Sequence, residues 1–365
     1  MPMLHQILDE YLKDGGADFY KNLVPPLIYS NLKASYGKRP YQQEAFGRFV
    51  FYWNEYRNRS KNRPAHLLFH MATGSGKTLI MAGLIIYLYE RGYRNFLFFV
   101  NSTNLIEKTK DNFLNPSSSK YLFSRTLFIG DKEIQIKEVE NFQEENPDDI
   151  HIIFTTIQGL HSRLNQPKEN SISYQDFEDK KIVFISDEAH HINVETKKIN
   201  KEDSTAMVNW ESTVNRLLNT NNDNILLEFT ATADLSIPAI KKKYSDKLIY
   251  DYPLKEFRKN GYSKEVKVLQ ADLPPFGRAL QAVILSQYRR KIFEKYKQPV
   301  KPVILFKSRT IKDSEAFLEE FTEGIKQCKV ADLYQIKNSK PDKCIKRIFT
   351  YLEDNILLLK ILCWK

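Results

Sequence analysis

Residues 71–78 read Met-Ala-Thr-Gly-Ser-Gly-Lys-Thr, and they separate two apolar segments of different kinds. The short segment before them, at 65–69, predicts a buried strand, whereas the longer periodic segment at 79–89 predicts a helix. A strand, a glycine-containing turn and a helix bring backbone N–H groups and the positive end of a helix dipole to one point. Such an arrangement is typical of a loop that binds the phosphates of a nucleotide.

The side chains of this loop predict specific contacts to a triphosphate. Lys77 can reach the β- and γ-phosphates, and the hydroxyl of Thr78 is placed to hold a magnesium ion. Four further residues would surround the phosphates: Thr73, Gly74, Ser75 and Gly76. The strict pattern has Gly where this chain has Met71, and we treat this departure as minor because the rest of the pattern is present. The alternative, a flexible glycine turn with a surface lysine, is disfavoured by the flanking strand and helix.

A second pattern supplies two carboxylates. The apolar segment at 181–186 predicts a strand, and Asp-Glu-Ala-His-His follows it at 187–191. Asp187 could bind magnesium directly or through water, and Glu188 could orient or deprotonate an attacking water. The alternative is an acidic surface turn that carries a histidine pair. A zinc site on His190 and its neighbour is disfavoured, because adjacent residues at one strand end rarely chelate a metal together.

Gln42 is the candidate for recognition of the base. It lies ahead of the phosphate loop, in the sequence Arg-Pro-Tyr-Gln-Gln-Glu-Ala-Phe at 39–46, where an amphipathic helix begins. Its amide can donate and accept a hydrogen bond, and the edge of adenine presents one donor and one acceptor. The prediction depends on the position of Gln42 in the chain, because Tyr-Gln pairs are common.

Polar residues also follow other predicted strands. The strand at 95–100 ends in Asn-Ser-Thr-Asn, which either faces a ligand, as strand ends do in doubly wound sheets, or caps the next helix. The strand at 225–229 is followed by Thr230 and Thr232, whose hydroxyls could link the nucleotide site to a neighbouring domain. Together these patterns collect candidate ligand-binding residues at the carboxyl ends of several strands.

The alternation of strands and helices predicts an α/β fold with a parallel sheet and right-handed crossovers. The chain of 365 residues is long enough for two domains. We predict an N-terminal helical extension at 1–35, a nucleotide-binding domain at 36–250, a basic helical segment at 251–298 and the beginning of a second α/β domain at 299–365. The last assignment depends on a predicted strand at 303–306 and on the helix predicted to follow it.

Basic residues are concentrated in one segment. Residues 241–301 contain sixteen Lys or Arg and six Asp or Glu, and this excess of ten equals the net charge of the whole chain. A basic segment beside a nucleotide-binding domain favours a polyanionic partner such as nucleic acid, and the alternative is a solvated helical face. No apolar run has the length of a membrane span, and the N-terminus has no signal-peptide core. We therefore expect a cytoplasmic protein without a membrane partner.

Taken together, the motifs resemble those of the helicase superfamily 2 motor. Residues 71–78 are similar to motif I, Asp-Glu-Ala-His at 187–190 to motif II in its DEAH form, and Thr-Ala-Thr at 230–232 to motif III. Order and spacing agree over residues 39–310. Within the superfamily, the loop sequence, the doubled histidine and Ile-Leu-Phe-Lys-Ser at 304–308 are most similar to the motor subunits of type III restriction enzymes.

This resemblance implies two RecA-like domains with ATP in the cleft between them, the P-loop domain coming first. It implies that ATP and magnesium are held by Lys77, Thr78, Asp187 and Glu188, and that Gln42 contacts the base. His190, Thr230 and Thr232 would couple the nucleotide to movement. Duplex DNA would cross both domains, and a modification or specificity subunit would be a partner.

The resemblance ends at Arg309, because nothing after it is similar to motif V or to the arginine-rich motif VI. A nuclease site is also missing, since Glu-Val-Lys at 265–267 has no suitable Asp before it. We expect a C-terminally truncated motor, with the rest of the motor and the nuclease on another chain or segment. An arginine finger raises hydrolysis by about 10³- to 10⁵-fold, so hydrolysis by this chain alone should be weak.

Two alternatives remain open. One is a fragment that binds ATP and DNA without independent activity, and the other is an RNA helicase of the same superfamily. A small-molecule kinase with the same phosphate loop is disfavoured by the Asp-Glu-Ala-His sequence and by the basic segment at 241–301.

Overall fold

The computed structural model describes most of the chain. The described residues are 2–34, 36, 38–143, 146–165, 172, 174–187, 211–264, 268, 269, 271–339 and 342–353. Contacts between Cα atoms divide the chain into two compact units, residues 1–264 and 265–365, which we call unit 1 and unit 2. The predicted layout of four segments stays a prediction.

Nine strands lie in the described part of unit 1. They are β1 (Ala65–Met71), β2 (Asn95–Val100), β3 (Leu127–Ile129), β4 (Lys132–Ile134), β5 (Ile136–Glu138), β6 (Ile150–Thr156), β7 (Ile182–Asp187), β8 (Ile225–Thr230) and β9 (Leu248–Tyr252). Seven of them form one parallel sheet in the spatial order β5-β6-β2-β7-β8-β1-β9. The other two, β3 and β4, form a separate antiparallel pair.

Helices precede the sheet and connect its strands. Four lie before β1: α1 (Leu4–Gly15), α2 (Phe19–Asn22), α3 (Pro26–Asn31) and α4 (Pro40–Asn54). The others in unit 1 are α5 (Lys77–Glu90), α6 (Thr103–Leu114), α7 (Ile157–Asn165), a helical stretch at 211–218 that we call α8, α9 (Pro238–Lys243) and α10 (Leu254–Lys259). Pro40 begins α4 at the position where a missing N–H costs the helix no hydrogen bond.

The sheet is buried on both faces. In β2, Phe96 and Phe98 belong to one buried apolar cluster, whereas Leu97 and Phe99 belong to a second one. Successive side chains of a strand point to opposite faces, so the two clusters are the two sides of the sheet. Parallel strands covered on both faces have continuous apolar sequences, and these sequences identified the strands. The predicted α/β fold with a parallel sheet flanked by helices is confirmed.

Unit 2 is helical in its described residues. It contains α11 (Pro275–Lys295), α12 (Ile311–Gln327), α13 (Val330–Asn338) and α14 (Lys343–Glu353). Its buried core contains seven residues: Leu280, Ile284, Leu333, Ile336, Ile345, Ile348 and Phe349. No helix in the described ranges of either unit is long and apolar enough to span a membrane.

The strand predicted at 303–306 is not formed. Residues 301–308 have no regular secondary structure, and no main-chain hydrogen bond joins them to another described residue. Val303 and Leu305 are 89% and 90% exposed. A strand needs a neighbour to satisfy its backbone groups, and the described part of unit 2 offers none. That residues 299–365 begin a second RecA-like domain therefore stays a prediction.

Candidate nucleotide-binding site

The loop between β1 and α5 has the backbone geometry of a phosphate loop. Gly74 and Gly76 have positive φ angles of +79° and +94°, which residues with a side chain rarely adopt. Gly76 is also the residue that caps the N-terminus of α5, and α5 begins at Lys77. The glycines of the motif are thus required by the turn that the chain makes here.

Several N–H groups of this loop are available to a ligand. Ser75 donates its N–H to the carbonyl of Ala72 at 3.2 Å, which closes the turn. By contrast, four N–H groups find no main-chain acceptor in the described part of the chain: those of Gly74, Gly76, Lys77 and Thr78. Unpaired N–H groups at a helix N-terminus form an anion-binding site, and these therefore fit the phosphates of a nucleotide.

A cavity of about 530 Å³ opens beside the loop. One wall consists of the loop and the first turn of α5: Gly74, Ser75, Gly76, Thr78 and Leu79. Residues before and within α4 line it as well: Tyr36, Lys38, Arg39 and Gln42. The remaining lining residues come from α6 and the segment after it: Asn112, Lys120 and Leu122. The cavity is therefore lined both by most of the predicted phosphate loop and by the predicted base-contacting residue, Gln42.

The start of α4 contacts the loop directly. Gln42 donates its Nε2 to the carbonyl oxygen of Ser75 at 3.0 Å, and the Tyr41 hydroxyl donates to the same oxygen at 2.9 Å. A Cβ atom on Gly76 would lie only 2.7 Å from Gln42 Nε2, so a larger residue here would displace the end of the Gln42 side chain. One Nε2 hydrogen of Gln42 is thus engaged, and Oε1 is its acceptor atom for a ligand.

The strand register brings other predicted residues to the same edge of the sheet. Asp187 lies beside Phe229 of β8, and Phe229 lies beside Phe69 of β1, two residues before the loop. Neighbouring strands are about 4.8 Å apart, so Asp187 is about 10 Å across the sheet from the end of β1. Thr230 lies beside the end of β1 and accepts a hydrogen bond from the N–H of Thr232 at 3.2 Å.

The structure thus collects most of the predicted site residues. Gln42, the loop and Thr78 surround one cavity, whereas Asp187, Thr230 and Thr232 lie at or after the carboxyl ends of nearby strands. Lys77 is buried and makes no ion pair within the described ranges. Glu188 and His190 lie outside the described residues.

One histidine of β1, His70, was not predicted as part of this edge. His70 Nδ1 lies 2.6 Å from Asp251 of β9, and His70 Nε2 lies 3.3 Å from the carbonyl oxygen of Ala231. The ring therefore joins the strand before the phosphate loop to the segment at 230–232. The sequence signal is a histidine within an apolar strand, but its carboxylate partner lies 181 positions later in the chain.

His66 makes a comparable contact deeper in the sheet, because its Nε2 lies 2.7 Å from the buried carboxylate of Glu228. Burial by itself raises the pKa of Glu228, but the attraction of His66, with smaller contributions from Lys243 and Tyr244, brings this pKa below its ordinary value. The contact with His66 allows the Glu228 carboxylate to be charged inside the sheet, and this pair of residues has no role in the predicted site.

No group of three or more His, Cys, Asp or Glu residues in the described ranges could hold a metal ion by itself. Magnesium in nucleotide sites is bound through only one or two protein oxygens together with the phosphates. The Thr78 hydroxyl in the cavity wall and the Asp187 carboxylate at the sheet edge have the chemistry for such a site.

A family model described as the res subunit of type III restriction enzymes matches residues 35–235. The chain belongs to this family. The resemblance to type III restriction motor subunits is thereby confirmed. A probable type III restriction-modification enzyme HindVIP Res subunit from Haemophilus influenzae is 38% identical over 338 residues, which cover 86% of this chain. The chain spans 65% of the length of that relative.

Solved structures similar to this res-subunit family member include a restriction-modification enzyme and a helicase domain. A nuclease-deletion mutant of the Type ISP restriction-modification enzyme LlaGI, in complex with a DNA substrate mimic, is 14% identical with a TM-score of 0.38. The match covers 70% of this chain and 22% of that one. The Pyrococcus furiosus Hef helicase domain is 16% identical with a TM-score of 0.34, and 76% of this chain and 53% of that one are covered.

Proposed function

We propose that this chain is the ATP-binding motor portion of a restriction-type DNA translocase, which couples ATP hydrolysis to movement on duplex DNA. The observation that carries the proposal is the phosphate loop, whose unpaired N–H groups line a cavity at the carboxyl edge of a parallel sheet. Membership of the type III res-subunit family supports the restriction system as its context.

In this proposal the loop holds the triphosphate. The Lys77 ammonium group neutralises the β- and γ-phosphates, and Thr78 and Asp187 hold magnesium. When bound, magnesium would neutralise charge that develops on the phosphate oxygens. Glu188 would orient or deprotonate the attacking water. The backbone of Thr73, Ser75 and the two loop glycines would surround the phosphates.

Gln42 would select adenine through its free oxygen. Its Nε2 is held by Ser75, so Oε1 is left to accept a hydrogen bond from the base. Adenine offers an amino group at its 6-position, whereas guanine has a carbonyl oxygen there, and two acceptors would face each other. We therefore infer a preference for ATP over GTP.

His190, Thr230 and Thr232 would couple the state of the nucleotide to movement. The basic residues of α11, such as Arg278, Arg289 and Arg290, are candidates for contacts to the phosphates of duplex DNA. We also propose a modification or specificity subunit as partner, and a further chain or segment that supplies the rest of the motor and the nuclease.

A second candidate function is a fragment that binds ATP and DNA with little turnover. It is favoured by the described part of unit 2, which contains helices and no sheet. An RNA helicase of the same superfamily is the third, and the nucleic acid used in the assay distinguishes it.

The test is ATP hydrolysis with and without duplex DNA, comparing the native chain with Lys77→Ala. We expect Lys77→Ala to lower hydrolysis by about a hundredfold or more, because it removes a charge that stabilises the transition state. The control is Lys132→Ala, which removes an exposed lysine far from the loop and should leave hydrolysis unchanged.

Other outcomes separate the candidates. If the native chain binds no ATP, the assignment of the loop is wrong. If it binds ATP but hydrolyses it no faster than Lys77→Ala does, the chain is a fragment that binds ATP with little turnover. Stimulation by single-stranded RNA and not by duplex DNA would identify an RNA helicase.

A further inference from the structure

One backbone oxygen of the phosphate loop is held by two side chains of α4. The carbonyl oxygen of Ser75 accepts from the Tyr41 hydroxyl at 2.9 Å and from Gln42 Nε2 at 3.0 Å. All three residues are buried, and Tyr41 is only 3% exposed. Hydrogen bonds from two side chains to one loop carbonyl fix the orientation of the peptide group that follows it.

The orientation of this peptide decides where the next N–H group points. A trans peptide is planar, so its carbonyl oxygen and its N–H group point in opposite directions. When Tyr41 and Gln42 hold the oxygen of Ser75, the N–H of Gly76 is directed away from α4. That N–H has no main-chain acceptor among the described residues. Gly76 itself imposes little restraint, because glycine adopts positive and negative φ angles with similar ease.

The polarity of the Tyr41 hydroxyl is fixed by Arg39. Arg39 Nη1 donates to the hydroxyl oxygen at 3.1 Å, and a guanidinium can only donate. The single hydroxyl proton is therefore left for Ser75. Burial raises the pKa of Tyr41 although the hydrogen bond from Arg39 lowers it, so the hydroxyl keeps this proton at neutral pH.

The ring of Tyr41 is also held in place. It stacks on Tyr252 with a centroid distance of 4.7 Å and an interplanar angle of 12°. Phe257 and Tyr262 pack against it at 5.7 Å and 5.0 Å. A side chain that is fixed on its ring and on its hydroxyl is preorganised, so the hydrogen bond to Ser75 costs little conformational entropy.

We propose that Tyr41 is a positioning residue for the phosphates of ATP, because its hydroxyl holds the peptide between Ser75 and Gly76 with the Gly76 N–H directed to the phosphates. This inference rests on the proposed function of the loop. It separates two neighbouring residues by role: Gln42 selects the base in addition to holding the Ser75 oxygen, whereas Tyr41 acts on phosphate affinity without selecting the base.

The test is Tyr41→Phe, which keeps the stacked ring and removes the hydroxyl. We expect the Kd of ATP and the Kd of GTP to rise by the same factor, about three- to tenfold, which corresponds to one hydrogen bond. Their ratio should stay that of the native chain. Where turnover is measurable, KM should rise and kcat should stay, because the Gly76 N–H contacts the phosphates before and during the reaction.

The matched control is Tyr93→Phe. Tyr93 is 4% exposed, and its hydroxyl donates to the carbonyl of Asp223 at 2.7 Å, away from the loop. A general loss of stability would affect both variants alike, so equal Kd values in Tyr41→Phe and Tyr93→Phe would overturn the inference. A changed ratio of ATP to GTP affinity in Tyr41→Phe would overturn it as well.

Failure of the proposed function has a different signature, because the native chain itself would then bind no nucleotide. If Tyr41→Phe does not fold, the variant Tyr262→Leu tests the role of Tyr41 instead. This change loosens the packing of the Tyr41 ring and leaves its hydroxyl. A smaller, equal rise in both Kd values supports the inference, and unchanged values overturn it.

Discussion

Two segments of this chain share one sequence pattern, and only one of them is a strand. In unit 1, the apolar sequence of β1 is followed by a polar turn and by α5. In unit 2, the apolar residues 303–306 are followed by Lys-Ser-Arg-Thr and by α12. β1 pairs with β8 on one side and with β9 on the other, and Leu67 is fully buried. Residues 301–308 pair with no strand in the described ranges, and Leu305 is 90% exposed.

The difference shows what an apolar pattern can predict. An apolar pattern indicates that burial of the segment would be favourable. A strand, however, also needs neighbouring strands whose N–H and C=O groups pair with its own. The partners of β1 come from residues 225–230 and 248–252, far from it in sequence. The position of the phosphate loop depends on this strand pairing too, because Lys77 and Thr78 are held in place only when β1 is paired with its neighbouring strands.

Hydrogen exchange should show the largest difference between the two segments. We expect the amides of Leu67, Leu68 and Phe69 to exchange at least about a thousandfold more slowly than in an unfolded chain, because they open only with the sheet. The amides of residues 303–307 should exchange within about tenfold of the unfolded rate. Equal protection of both segments would mean that the segment at 303–307 is paired in solution.

A matched pair of substitutions measures the same difference as free energy. Leu67→Ala should lower the free energy of unfolding by about 2–5 kcal/mol, because it leaves a cavity in the sheet core. Leu305→Ala removes the same atoms from an exposed position and should change it by less than about 0.5 kcal/mol. Urea unfolding followed by circular dichroism gives both values. A loss in Leu305→Ala as large as in Leu67→Ala would contradict the exposed position of this side chain.

Local patterns predicted most of unit 1. The strands predicted at 65–69, 95–100, 181–186 and 225–229 are β1, β2, β7 and β8 of the main sheet, because strands buried on both faces have continuous apolar sequences. β5 was not predicted, since its sequence Ile-Lys-Glu is short and mostly polar. The helix predicted at 79–89 is α5, which extends from Lys77 to Glu90.

The phosphate loop was predictable because all of its determinants are adjacent in sequence. The contacts of Tyr41, His70 and Asp251 were not, because they depend on the order of the strands in the sheet. His70, for example, meets Asp251 only since β9 lies beside β1. The sequence showed Tyr41 only as part of a common Tyr-Gln pair. Its proposed role follows from the hydrogen bond that its hydroxyl donates to the Ser75 carbonyl oxygen.

The smallest predicted effect concerns the charge of Glu228, which lies beside His66 of the paired strand β1. β1 contains His66 because β8 supplies Glu228 beside it, a partner that an unpaired segment lacks. The pKa of Glu228 is lower in the folded chain than its ordinary value of 4.5, which we take for the unfolded chain. The carboxylate therefore stabilises the fold fully above that value, and its contribution is lost as the pH falls through the lower, folded-state pKa.

Glu228→Gln should thus lower the free energy of unfolding by about 1.5 kcal/mol near neutral pH, the contribution of a charged hydrogen bond. The difference from the native chain should shrink as the pH falls below the ordinary carboxyl pKa, because Glu228 is then protonated first in the unfolded state and, below its lower folded-state pKa, in the folded state too. The control is Glu10→Gln, which removes an exposed carboxylate paired only with Lys13 and should have no such effect. A difference that stays constant down to pH 3 would show that folding does not lower the pKa of Glu228, and the contact with His66 would then contribute no stability through the charge of the carboxylate.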